Sequence, residues 1–217
     1  MTPGVKICGL TRPQDAAGAA ALGAAYVGVV FAGGPRLVTV DHAADVLAAA
    51  RPTARTVGVF GAQSAAEIAR VATTLALDVV QLHGDPTPAD VALVRERYDG
   101  AVWAVCRVRG TLEPAPLLEL FQAADAVLLD PHAPDALGGT GRQLAWDAIA
   151  SELAAVRRGR PLVIAGGLTP ANVAAAAATL APTVVDVSSG VEQRAGIKDH
   201  DLMRRFVAAV ATPECIA

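Results

Sequence analysis

Short runs of apolar, β-branched residues alternate with Ala-rich, helix-forming stretches along all 217 residues, and this alternation limits the possible folds more than any other feature. The pattern predicts strands over 4–8, 25–31, 55–60, 78–83, 101–108, 125–130, 161–165 and 183–187. Helices are expected over 13–24, 40–50, 64–75, 114–122, 145–157, 169–180 and 199–211, with another opening at Thr87-Pro88. Tyr26 to Phe31 is apolar along nearly its whole length, as a strand covered on both faces must be. The units recur every ~25 to 30 residues with short connections and no Pro/Ser-rich linker. Residues 1–217 are therefore read as a single α/β domain, a closed parallel (β/α)8 TIM barrel with its active site at the C-terminal strand ends. An open doubly wound sheet would show a long crossover or an amphipathic edge strand, and the sequence has neither.

Local chemistry marks several helix starts. Ser64 with Glu67 is a capping box, and Thr87-Pro88 opens the next helix. Thr11 with Gln14, around Pro13, reads as a second box, and Thr169 with Pro170 as a further cap. CGLT at 8–11 and GGLT at 166–169 are thus expected to share one turn-and-cap arrangement.

Charge and cysteine usage exclude several function classes. Lys+Arg 18 against Asp+Glu 21 leaves a net charge of -3, which provides no basic field for nucleic acid or an anionic membrane. A small, locally recognised substrate fits better. Residues 16–35 carry no charge and approach the length of a membrane span. Alanine and glycine contribute little transfer energy, however, and Gly23 separates a helix-like half from a strand-like half, so the stretch is read as a buried helix-to-strand step. Cys8, Cys106 and Cys215 are odd in number, widely spaced and without a CxxC pair. That argues against a disulfide framework or structural zinc and suits a reducing cytoplasm. The N-terminus enters a strand at once, without the basic and apolar regions of a signal peptide. His42, His132 and His200 show no spacing that suggests a metal or catalysis.

Few polar groups fall at strand ends: Cys8, Arg36 as the one isolated cation of the loop 32–36, His83, Asp130, and the turns 166–168 and 188–190. Those turns, Gly166-Gly167-Leu168 and Ser188-Ser189-Gly190, offer backbone N–H groups without bulky side chains, where barrels commonly hold a phosphate. A third glycine run at 138–141 includes Gly139. Taken alone, Lys6 to Arg12 leaves Cys8 open to two readings, a small buried hydrophobe or a reactive thiol beside the cations Lys6 and Arg36. Asp130 could equally cap the loop that follows it.

KICGLTR at 6–12, QLHGD at 81–85, LLD at 128–130, GGTG at 138–141, IAGGLTPANV at 164–173, VDVSSGVE at 185–192 and GIKD at 196–199 occur in this order. Together they resemble the phosphoribosylanthranilate isomerase family, over essentially the whole chain. The resemblance implies an Amadori rearrangement of a phosphorylated aminosugar in tryptophan synthesis, with no metal or organic cofactor. It implies that Asp130 is the acid at the ribose ring oxygen, which requires burial to raise its pKa, and that Cys8 is the thiolate base at C2'. Arg36 matches the family position for the anthranilate carboxylate, and His83 a histidine near the substrate. Asp186 is expected to orient the phosphate turn Ser188–Gly190. The family usually has lysine and serine before the Pro-Arg, where this chain has Gly33 and Gly34. A monomer and a homodimer are both compatible with the sequence.

Other readings fit less well. The isomerase of histidine synthesis, or a bifunctional relative, would carry aspartates at strands one and five, and there is none around Cys106 to Arg109. Indole-glycerol-phosphate synthase would need an extra N-terminal segment. A non-catalytic phosphate-binding barrel would have no reason to combine Cys8 with Asp130. A redox thiol protein would want a resolving cysteine near Cys8 in sequence, and there is none.

Overall fold

A computed structural model of the chain describes residues 2–131 and 146–211. The elements run β1 Gly4–Ile7, α1 Pro13–Ala21, β2 Tyr26–Val30, α2 Val40–Ala48, β3 Arg55–Phe60, α3 Ala65–Thr74, β4 Val79–Leu82 and α4 Pro88–Arg95. They continue with β5 Ala101–Val108, α5 Pro114–Ala123, β6 Ala126–Pro131, α6 Trp146–Arg157, β7 Leu162–Ile164, α7 Val173–Leu180 and β8 Val184–Val187. A 3-10 turn over Ser189–Val191, a short β9–β10 hairpin (Glu192–Arg194 and Ile197–Lys198) and α8 His200–Ala211 complete the series. Strands β1 to β8 pair in sequence order, all parallel, and close into a barrel where β1 meets β8, from Gly4 opposite Val184 to Ile7 opposite Val187. The fold class expected from the alternation is the one observed.

Strand parity sorts the residues into two cores. Val5, Ile7, Val27 and Val29 turn outward and join the large apolar cluster between the sheet and the helices. Residues of the opposite parity fill the barrel: Val57, Val79, Trp103, Val105, Ala126, Leu128, Val163, Ala165 and Val184 form the inner cluster, with Tyr26 packed edge-on against Trp103 at 4.9 Å. Toward the C-terminal rim the same inward parity delivers Lys6, Gln81, His83, Asp130 and Asp186, all buried and polar. The site is thus the polar upper layer of an otherwise dry interior.

The capping box at Ser64 forms as expected, and Thr87, expected to open its helix, forms a box as well with Asp90, each with both reciprocal bonds. The other two caps do not. α1 starts from Arg12, whose guanidinium bonds to Asp15 at 2.9 and 2.8 Å, while Thr11 Oγ1 donates to Gly196 O at 2.5 Å. A distant chain segment has diverted the hydroxyl. After β7, α7 begins only at Val173. Thr169 N donates to Asn172 Oδ1 at 2.7 Å and Asn172 Nδ2 to Gly167 O at 2.9 Å, so 167–172 is a self-bonded turn. CGLT and GGLT therefore share no capping arrangement. Among the described residues no helix is long and apolar enough to cross a membrane, and 16–35 divides into the end of α1 and all of β2. The glycine run 138–141, with Gly139, and residues His132 and Cys215 lie outside the described residues.

Candidate active site

Cys8 is the first residue past β1, buried, its N–H held by Val187 O at 2.8 Å. Gly9 then turns the chain at φ +69, and a Cβ there would lie 2.4 Å from Arg36 Cδ and 2.8 Å from Ser188 Oγ. Only glycine lets the loops after β2 and β8 close over the thiol this tightly. Lys6, two residues back and so on the same face, puts its charge beside the thiol and donates from Nζ to Asp186 Oδ2 at 3.0 Å. Burial pushes the Cys8 thiol up, while the Lys6 ammonium pulls it down. Burial alone would lower Lys6, but Asp186 and Cys8 outweigh it and keep the amine charged.

Asp130, next to last in β6, lies on the inward face, 4% exposed. Burial first, and the charge of Asp186 second, push its carboxyl up to about 7, against the opposing charges of Arg107 and Lys6. His83 stands beside it, Nε2 3.6 Å from Asp130 Oδ2, which is beyond a hydrogen bond. Burial, with the charges of Lys6 and Arg107, pushes its imidazole down to about 4, so His83 is a neutral neighbour rather than a cation paired with Asp130. His83 Nε2, Gln81 Oε1 and Asp186 Oδ1 are buried without a hydrogen-bond partner among the described residues. Orphaned polar atoms are costly in a folded interior, and three around one opening mark a place made for a polar ligand.

Two expectations need correcting. Asp186 does not orient the turn at 188–190; the β1–β8 register places it opposite Lys6, which it holds. The turn is ordered by Lys198, whose Nζ donates to Ser188 O at 3.1 Å and to Glu192 Oε1 at 2.7 Å. Arg36 is not an isolated cation either: Glu192 grips it at two points, 2.9 and 2.6 Å.

A cavity of about 390 Å3 opens at the rim, and Cys8, Arg36, His83, Asp130, Gly166, Gly167, Asp186, Ser188, Ser189 and Gly190 all line it. Of the candidate site residues, only Gly139 lies outside the described residues. Sequence reasoning missed Gln81, Glu192 and Lys198, and gave Lys6 no partner but the thiol. Parity could have found Gln81, two residues before His83, and Glu192 and Lys198 stand within the quoted motifs VDVSSGVE and GIKD without a stated role. Among the described residues no group of three or more His, Cys, Asp or Glu could hold a metal ion, and Cys8 and Cys106 are free thiols.

A (β/α)8 barrel whose mouth gathers a buried thiol, a carboxyl that stays largely protonated up to neutrality and two open-amide turns belongs with the barrel enzymes of acid–base chemistry. Comparison narrows the class. The family model described as N-(5'phosphoribosyl)anthranilate (PRA) isomerase matches residues 5–209, and the chain belongs to that family. It is 41% identical over 206 residues to the N-(5'-phosphoribosyl)anthranilate isomerase of Pseudomonas fluorescens (strain Pf0-1), covering 94% of this chain and 97% of that one. Among solved structures, the phosphoribosyl anthranilate isomerase of Thermus thermophilus superposes with a TM-score of 0.84 at 35% identity, over 96% of this chain and 98% of that one. Another isomerase, in complex with reduced 1-(o-carboxyphenylamino)-1-deoxyribulose 5-phosphate, gives 0.80 at 30% identity, with the same coverage of 96% and 98%.

Proposed function

We propose that this chain converts N-(5'-phosphoribosyl)anthranilate to 1-(2-carboxyphenylamino)-1-deoxyribulose 5-phosphate, with Asp130 as general acid and Cys8 as general base. Asp130 gives its proton to the ribose ring oxygen as the C1'–oxygen bond breaks, and the aniline nitrogen's lone pair forms the iminium. The Cys8 thiolate then takes the C2' proton. Those electrons form C1'=C2' and neutralise the nitrogen, and the resulting enolamine tautomerises to the aminoketose. The turns Gly166–Gly167 and Ser188–Gly190 supply amides for the phosphate, and Arg36 a guanidinium edge for the aryl carboxylate. Asp186 keeps Lys6 charged beside the thiol, and neutral His83 flanks the acid. A metal or organic cofactor has no part in this sequence of steps.

One observation carries the reading: Cys8 and Asp130, at the C-terminal ends of strands one and six, border the same cavity. The test is a fluorescence assay of purified protein with the anthranilate substrate and, in parallel, with the aminoaldose phosphate of histidine synthesis. Turnover of the first alone is expected. No turnover of the first would end the proposal, and turnover of both would make the chain a bifunctional relative.

A further inference from the structure

The assignment of Arg36 to the aryl carboxylate leaves open what aims it. Arg36 follows Gly33, Gly34 and Pro35, so the loop has no long side chain of its own to anchor the guanidinium. The anchor comes from the other end of the chain. Glu192 binds the Nε and Nη2 edge at 2.9 and 2.6 Å, and Glu192 Oε1 also accepts from Lys198 Nζ at 2.7 Å and from Gly196 N–H at 3.3 Å. The Glu192 and Lys198 side chains are 4% and 0% exposed, so the joint is nearly dry and Arg36 has little room to swing. Burial would raise the Glu192 carboxyl, but bonds from Arg36 and Lys198 hold it below the ordinary range, and it is an anion when substrate arrives. Lys198 Nζ also donates to Ser188 O, inside the turn assigned to the phosphate. A continuous chain of bonds thus runs from Arg36 through Glu192 and Lys198 to Ser188.

We propose that Glu192 is a positioning residue that sets substrate choice: it holds one edge of Arg36, leaves the other donors for the substrate carboxylate, and through Lys198 fixes that cation's distance from the phosphate turn. The proposal rests on the isomerase reading and deepens it. A guanidinium has five N–H donors, and one carboxylate engages only one edge, so a second carboxylate can bind without displacing Glu192. Such a yoke favours a ligand whose two anionic ends match one span.

The test compares the carboxylate-bearing substrate with N-(5'-phosphoribosyl)aniline, which lacks only the carboxylate. The variants are Glu192→Gln, Glu192→Asp, which keeps the charge but shortens the reach, Arg36→Ala, and Glu192→Gln combined with Arg36→Ala. Each Glu192 variant is expected to lower kcat/KM for the first substrate roughly 10- to 100-fold, mainly through KM, and to change it less than about twofold for the aniline compound. In the Arg36→Ala background the Glu192→Gln change should add nothing. Equal losses on both substrates, a further loss in that background, or an unchanged or lower KM in both single variants would overturn the positioning role. If Arg36→Ala itself fails to distinguish the two substrates, the carboxylate assignment is wrong and the proposal falls with it.

Discussion

At the scale of single residues, Cys8 and Asp130 hold their protons in an unusual order. The productive form needs a thiolate and a carboxylic acid together, yet Asp130 titrates at about 7 and burial raises Cys8 above the ordinary thiol range. Only a minor share of free enzyme then carries both correct states. kcat/KM is expected to rise with pH up to about 7, stay level, and fall only in the thiol's range, with both limbs macroscopic values of the pair. A fall that begins near neutrality would overturn this ordering. Burial of Asp130 also has a cost in stability. Its folded pKa, about 7, lies above the unfolded value, so its contribution is fully present below roughly 4 and is lost as pH rises to about 7. Asp130→Asn should lower kcat by two or more orders of magnitude, roughly, while its stability gain over the parent grows across that window to about 2 to 4 kcal/mol. Urea titrations at pH values on either side of the window would show it, and a difference independent of pH would refute it. The identities of these residues were legible because each falls at a strand end expected from the alternation. Their partners lay beyond local reach: Lys6 and Asp186 are 180 residues apart, Arg36 and Glu192 156.

At the scale of elements, the caps separate what was legible from what was not. Ser64–Glu67 and Thr87–Asp90 pair within three residues, and both formed. Thr11 matched the same local pattern but bonds to Gly196, 185 residues away, and the hairpin β9–β10 that carries Gly196 is too short to show a period. The 3-10 turn before that hairpin has its own test. A Cβ on Gly190 would fall 1.9 Å from Leu168 O, so the turns after β7 and β8 touch backbone to backbone. Gly190→Ala must part them, moving the amides aimed at the phosphate. It is expected to cost about 1 to 3 kcal/mol of stability. It should also weaken inhibition by inorganic phosphate by about tenfold and raise KM more than it lowers kcat. Unchanged phosphate inhibition would place the anion elsewhere.

For the whole molecule, the barrel order was legible because eight repeats of one pattern leave few topologies, whereas the register that sets Lys6 against Asp186 depends on how the ring closes. That closure joins the first strand to the last, and the cavity draws its lining from β2, β3, β4, β6 and β8 and from the loops that follow β1, β2, β4, β7 and β8. A ligand held by Arg36, Asp130 and the turn at 188–190 therefore bridges segments that must separate on unfolding. Reduced 1-(o-carboxyphenylamino)-1-deoxyribulose 5-phosphate at a hundred times its Kd should stabilise the protein by about 2.7 kcal/mol. For a chain of this length that raises Tm by about 5 to 10 °C. Cys8→Ala should keep nearly the whole shift, since the thiol acts on a proton and not on binding, whereas Arg36→Ala should need roughly tenfold more ligand for the same shift. Thermal unfolding followed by circular dichroism measures both, and a Tm that the ligand leaves unmoved would dissociate this cavity from the substrate.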